Sequence, residues 1–475
     1  MTWRRLGLAA VLAVLLVTAY APFWLSPFRA DDLLFIEKVE GASFASLWAN
    51  RGTVFSYWRP IPTGVCYWTS IRLFGHEVIP LHLLAGGLWI AILMLYFALA
   101  RQVTGSGRAA GVSTAGVAVL AAWSLPIFWV AGLQDLCMLA AFMAALVLLA
   151  RGRVGLSALA YAAALASKEP AFVFPAVALA FLILVQREPW KSSLLRLLPH
   201  AALTVAWAAI HPRIGGGMWR DGGFAPGWHH PSLLEMGLGT ILAALNLDQW
   251  PNPKTSPTWT SVLQVGLAVA LVALFWRAPS APPRSAAGSP VPASSRRPEL
   301  FGIVWAGLAL IPLAEPTLPW NAYYALPGCM GLWLAAGPTL SRNATTAMLV
   351  VAALAAARAG RASTVSTSIG TEYWQRLNSA TVLEIKHRLM AAMPNPPRGS
   401  RFLFAEVPPG AGLFGPTGRS DIVAQWYGDP SLQSGYYSKF DPSDSTTSFL
   451  VKIGRNPAGL VVMPKPGPAR DASGK

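Results

Sequence analysis

The stretch LHLLAGGLWIAILMLYFALA, residues 81–100, decides the fold class. Its one side chain that can carry charge near neutral pH, His82, stands at the very start. A helix of that length rises about 30 Å, the thickness of a bilayer's hydrocarbon core. Apolar runs of similar character recur at 6–25, 111–132, 134–150, 154–167, 171–186, 194–211, 259–276, 300–318, 322–340 and 344–358, so eleven spans are expected. The composition agrees. Of 475 residues 54% are hydrophobic and only 12% charged, against about 25% charged in ordinary soluble proteins. That excludes a soluble enzyme, a disordered chain and a nucleic-acid-binding module, and leaves an α-helical polytopic membrane protein with membrane lipids as its surroundings. Trp58, Trp68, Trp123, Trp129, Trp250 and Trp320 lie near the ends of apolar runs, where an amphipathic ring favours the headgroup layer.

Charge sets the orientation. Met1-Thr-Trp-Arg4-Arg5 precedes the first run, and Ala19-Tyr-Ala21 mimics a signal-peptide cleavage site, but the run continues through Phe23-Trp24-Leu25 and reads as an uncleaved span. With Arg4 and Arg5 inside, alternation places 101–110, 151–153, 187–196, 277–299 and 341–343 in the cytoplasm. With Arg4 and Arg5 these segments hold 14 Lys and Arg against the two acids Glu188 and Glu299. The opposite loops hold nine cations over far more chain. Much of the +16 net charge is therefore topological rather than a sign of an acidic partner. The scheme requires that 232–247 not span: Glu235, Asn246 and Asp248 make it an interfacial helix. The Pro-, Ala- and Ser-rich segment 277–299 reads as a flexible cytoplasmic linker.

Two domains follow. Residues 1–360 form the transmembrane domain, including a long first outer loop, 26–80. Residues 361–475 regain charge and lose long apolar runs. Alternation at 401–406 and 448–453, with a helical pattern at 381–390, predicts a small α+β domain on the outer face, where eleven spans also put the C-terminus. The three cysteines, Cys66, Cys137 and Cys329, have no disulfide or metal-site spacing and read as packed apolar side chains. His211, His229 and His230 read as surface histidines. No metal-ligand cluster is expected, although Asp31 and Asp32 together have the chemistry to hold a divalent ion.

The chemistry gathers on one face. Arg29-Ala-Asp31-Asp32 opens the first loop, which continues to Tyr57-Trp58-Arg59-Pro60 and ends at His82. Taken alone, an acid pair at a membrane exit is a polar helix stop; the functional reading is a carboxylate poised as general base. Asp135, Lys168, Glu169 and Glu315 all fall at outer ends of spans, where burial of charge is costly and marks function by default. Each has a bland reading: Lys168 pairing with Glu169, Asp135 capping a helix, His82 an interfacial histidine. Pro170 predicts a tight break between 154–167 and 171–186. Carboxylates, cations and an apolar groove on one membrane face suit transfer of a sugar from a lipid-linked phosphate. The acceptor hydroxyl must lose a proton and the departing phosphate gains charge. A transporter would hold its charges nearer the midplane and repeat its halves.

In this order the motifs resemble the GT-C superfamily of polytopic glycosyltransferases, especially bacterial relatives of protein O-mannosyltransferases and aminoarabinose transferases. The matching pieces are Asp31-Asp32, Tyr57-Trp-Arg59-Pro-Ile, His82, Gln134-Asp135-Leu136, Ser167-Lys168-Glu169-Pro-Ala-Phe-Val-Phe-Pro175 and Ala322-Tyr323-Tyr324-Ala-Leu-Pro327-Gly328, spread over residues 1 to about 340. The resemblance implies a polyprenyl-phosphate-linked donor as substrate, no cofactor, and an active site facing the periplasm of a bacterial inner membrane. Asp31 or Asp32 would be the base, usually with inversion at the anomeric carbon. Arg59 and Lys168 would neutralise donor phosphate, His82 and Asp135 would orient the first loop, and Tyr57, Glu169 and Tyr323 would shape the site. The acceptor would be a protein, lipid or glycan. Gln134 stands where relatives commonly carry Arg, and Ala322-Tyr323 where they often carry Arg-Tyr. The alternatives are a transport protein for lipid-linked sugars or polysaccharide on the same scaffold, and an assembly subunit whose outer domain binds a partner.

Overall fold

The computed structural model describes residues 26–49, 57–212, 232–248, 297–314, 321–362, 370–405, 407, 412–414, 418–440, 447–453 and 460–464. The expected spans 6–25 and 259–276, most of the linker 277–299, Glu315, His229 and His230 lie outside these residues, as do Trp250 and Trp320.

Helix α1 (Asp31–Val39) begins on the acid pair, and a π-helical turn at Ile61–Cys66 runs into α2 (Tyr67–Phe74). Next come α3 (Ile79–Thr104), α4 (Gly107–Ala118), the short α5 (Ser124–Phe128), α6 (Leu133–Ala150), α7 (Val154–Leu165), α8 (Phe174–Leu184) and α9 (Trp190–Ile210). Helix α3, the segment Val130–Ala150 and α9 are each long and apolar enough to cross a bilayer, and α4 with α5 passes the same test as a pair bent by 55°. The break expected at Pro170 is present: α7 ends at Leu165, and a 3-10 turn at Glu169–Val173 leads into α8. Helix α10 (Leu233–Ala244) is only 12 residues long and opens on a capping box between Ser232 and Glu235. Helices α11 (Pro298–Leu308), α12 (Leu326–Leu340) and α13 (Ala344–Ala362) complete the helical part.

Small residues let these helices touch. A Cβ on Gly302 of α11 would lie 2.5 Å from the Gly331 carbonyl of α12, and one on Gly331 would lie 2.6 Å from the Gly302 carbonyl. Lipid tails give helices no hydrophobic reason to associate, so close backbone packing supplies the attraction. The α4–α5 bend breaks the helical hydrogen-bond ladder inside the bundle, and buried Asn246 repairs it. Its Nδ2 donates to the carbonyls of Val119 and Leu354, both at 2.9 Å, while its Oδ1 accepts from the Ala121 amide at 2.7 Å. Trp123 corrects the interfacial expectation: it is fully buried at this bend, its indole N–H donating to the Val117 carbonyl at 2.7 Å.

The C-terminal region joins α14 (Glu372–Ala392) to strands β1 (Arg401–Ala405), β2 (Arg419–Ser420), β3 (Gln433–Tyr436), β4 (Ser448–Lys452) and β5 (Val461–Pro464), with α15 (Ile422–Tyr427) before β3. The sheet order is β2-β3-β1-β4-β5, parallel across β3-β1-β4 and antiparallel at both edges. The central strand buries Phe402, Leu403 and Phe404 in succession, as a strand covered on both faces does. Helix α14 extends the helix expected at 381–390 and packs on both α5 and β5.

Candidate active site

The two adjacent carboxylates have different surroundings. Asp32 is fully buried, accepting from the Tyr67 hydroxyl at 2.7 Å and from the Arg29 amide at 3.1 Å. Burial pushes its pKa up to about 7, against the pull of those two donors and of the Arg29 charge. Asp31 is only partly buried, and among the described residues no hydrogen bond occupies its carboxylate. Burial raises its pKa to about 6, and the Arg59 guanidinium opposes the rise.

Arg59 holds the centre of the network. Its Nε lies 3.0 and 2.9 Å from the two Glu169 carboxylate oxygens, Nη2 also donates to Glu169, and Nη1 donates to Gln134 Oε1. The guanidinium sits 4.0 Å over the Tyr57 ring. His211 Nε2 lies 3.1 Å from Glu169 Oε1. Burial disfavours the Glu169 anion, yet Arg59 and His211 hold its pKa down at about 2. The π-helical turn after Pro60 fixes this arginine: the Arg59 carbonyl accepts from the Thr63 amide and hydroxyl, at 3.2 and 2.7 Å, and Ile61 N–H reaches the Ala166 carbonyl at 3.3 Å.

Lys168 takes a different partner from its sequence neighbour. Its ammonium lies 2.7 Å from both Asp135 oxygens and within 5.3 and 5.0 Å of the Tyr323 and Tyr324 ring centres. Burial lowers its pKa, and Asp135 works against that shift. An ammonium has three N–H donors and a guanidinium five, so both cations keep donor capacity beyond these bonds. A small apolar cavity of about 10 Å³ is lined by Met138, Phe142, Pro170, Trp305, Tyr324 and Pro327 among others. Tyr324, which lies under the Lys168 ammonium, thus joins the cation site to this apolar packing. His82 stands at the entrance to the loop, its Nε2 2.9 Å from the Ser26 carbonyl. Among the described residues no three His, Cys, Asp or Glu side chains gather as metal ligands.

No protein-family model and no curated protein matches the chain. Solved structures do. ArnT from Cupriavidus metallidurans bound to undecaprenyl phosphate superposes with a TM-score of 0.54 at 14% identity, covering 94% of this chain and 93% of that one. The apo state of the same protein gives a TM-score of 0.45 at 13% identity over the same shares. The chain has the ArnT fold.

Within the ArnT fold, Tyr57, Arg59, Asp135, Lys168, Glu169 and Tyr323 form one connected cluster. Asp31 reaches it through the field of Arg59. His211 corrects the surface reading: it is buried and touches Glu169. Its sequence signal was its place at the end of an apolar run, which the missing metal spacing masked. Tyr67 is not singled out by the sequence, since nothing local distinguishes it from a packing residue, and Tyr324 stands in the 322–328 motif without a role of its own.

Proposed function

We propose that this protein is a membrane glycosyltransferase that moves a sugar from a polyprenyl-phosphate-linked donor to an acceptor hydroxyl at the periplasmic face of a bacterial inner membrane. Residues 1–360 form the catalytic transmembrane domain, with eleven spans and a cytoplasmic N-terminus, and 361–475 form a periplasmic domain. The carrying observation is that Asp31, whose carboxylate has no hydrogen bond among the described residues, lies in the field of Arg59, next to the Lys168–Asp135 pair of the same cluster and the apolar side chains around Tyr324. The ArnT fold supports the class, and the undecaprenyl phosphate bound to that protein supports a polyprenyl-linked donor here.

In this reading Asp31 takes the proton of the acceptor hydroxyl as its oxygen attacks the anomeric carbon. The bond from that carbon to the phosphate oxygen breaks, and its electrons remain on the polyprenyl phosphate. Lys168 and the free donors of Arg59 neutralise the charge gained there. Asp32, already committed to Tyr67 and Arg29, positions the turn. The lipid tail lies against the apolar side chains that flank Tyr324. The reaction so written needs no cofactor.

The test is sugar transfer in membranes, with a panel of radiolabelled polyprenyl-phosphate sugars and matched expression of wild type and the Asp31→Asn, Asp32→Asn double variant. Label reaching an acceptor only with wild type supports the reading. Label retained on the donor in both, across the panel, shifts the assignment to transport of lipid-linked sugars.

A further inference from the structure

The turn that carries Asp31 is clasped from the C-terminal region. Ala30, immediately before the base, has φ +47 and ψ −116, a backbone conformation that a residue with a Cβ adopts only under constraint. Its amide donates to the Gly412 carbonyl at 2.6 Å. Arg29, 4% exposed, sends its guanidinium to α14, where Nη1 lies 3.4 Å from the Gln375 carbonyl and Nη2 donates to Gln375 Oε1. Ser26 Oγ meets Ser379 Oγ, one turn along α14, at 2.5 Å. From the membrane side, His82 and the Trp129 indole hold the carbonyls of Ser26 and Arg29, at 2.9 and 3.4 Å. A strained residue persists only where its surroundings over-determine it. Here half of those surroundings are more than 340 residues away in sequence.

We infer that Gln375 is a positioning residue for the transfer reaction: through Arg29 it fixes the strained turn that aims Asp31, so the C-terminal region is part of the active-site machinery. The inference rests on the proposed function for its catalytic consequence, but not for its structural one. Arg29 is the link because its own amide also binds Asp32, tying guanidinium, turn and acid pair into one unit.

Two measurements on the full-length protein in detergent test it, using Gln375→Ala and Gln375→Glu, the latter keeping an acceptor for Arg29. In the transfer assay Gln375→Ala should lower kcat about tenfold or more, as a small misalignment does, with donor KM within about twofold. Gln375→Glu should restore most of kcat. Hydrogen exchange of the peptide spanning residues 29–33 should be faster in Gln375→Ala alone, with α3 and α6 unchanged. Unchanged kcat and exchange in Gln375→Ala would overturn the proposal. So would a Gln375→Glu variant as slow as Gln375→Ala, or faster exchange throughout the molecule. If wild type transfers label from no donor, the functional reading fails, and the exchange of 29–33 alone decides whether Gln375 holds the turn.

Discussion

At the scale of single residues, Asp31 and Asp32 differ in what they are free to do. Asp32 is enclosed and hydrogen-bonded, whereas the Asp31 carboxylate has no hydrogen bond among the described residues. Asp31→Asn should therefore lower kcat by about 10²–10⁴, the usual worth of a general base. Asp32→Asn should cost about tenfold, because an amide nitrogen facing the Arg29 amide loosens the turn without removing the base. The base must be ionised, so turnover should rise with pH through a midpoint near 6 and fall tenfold per unit below it. Removing the Arg59 charge should move that midpoint upward, since Arg59 is what opposes the shift. A pH profile of kcat reads both. For Asp32 the linkage runs the other way from a salt-bridged acid. Its folded pKa, about 7, lies above the unfolded value, so the native state holds the extra proton and stability falls as pH rises from about 4 to 7. The difference in Tm between wild type and Asp32→Asn should shift across that window in favour of the variant. Lys168→Ala should raise the donor KM more than the acceptor KM, and the opposite result would move the phosphate site elsewhere.

At the scale of elements, the apolar runs and the break that Pro170 imposes were legible, and the bend inside the 111–132 run was not. The 111–132 run reads as one span, yet it folds as two helices bent by 55°. Irregular backbone inside a membrane protein survives only where protein satisfies it, and Asn246 does so from 125 residues away. Read locally, Asn246 was merely a reason for 232–247 not to span. Its backbone φ of +56 is one that asparagine tolerates better than most residues. Asn246→Ala removes the side-chain partners of the Ala121 amide and the Val119 carbonyl at the bend and should cost roughly 2–4 kcal/mol, measured by reversible unfolding in detergent. The π-helical turn at Ile61–Cys66 was likewise invisible to periodicity, because it depends on Thr63 and Ala166 holding the backbone around Arg59.

At the scale of the whole molecule, the proposed topology is open to a direct test. A single cysteine at Ser285, with Cys66, Cys137 and Cys329 replaced, should react with a membrane-impermeant thiol reagent only when the cytoplasmic face is exposed. A phosphatase fused after residue 475 should be active in the periplasm. The inverse pattern in both would reverse the face on which the site is placed. What the sequence by itself determined is what chemistry of composition determines. A chain so poor in charge and so rich in long apolar runs must satisfy its backbone in helices within lipid, and its polar side chains must then collect at span ends. That gave the helical class, the C-terminal α+β region and most members of the cluster. Only the tertiary structure decided the pairing: Lys168 with Asp135 rather than Glu169, Glu169 with Arg59 and His211, and Arg29 with Gln375. Pairing is a matter of distances between residues far apart in the chain. Periodicity carries no information about those distances, and in a buried site they fix which charge is neutralised and which carboxylate is left open.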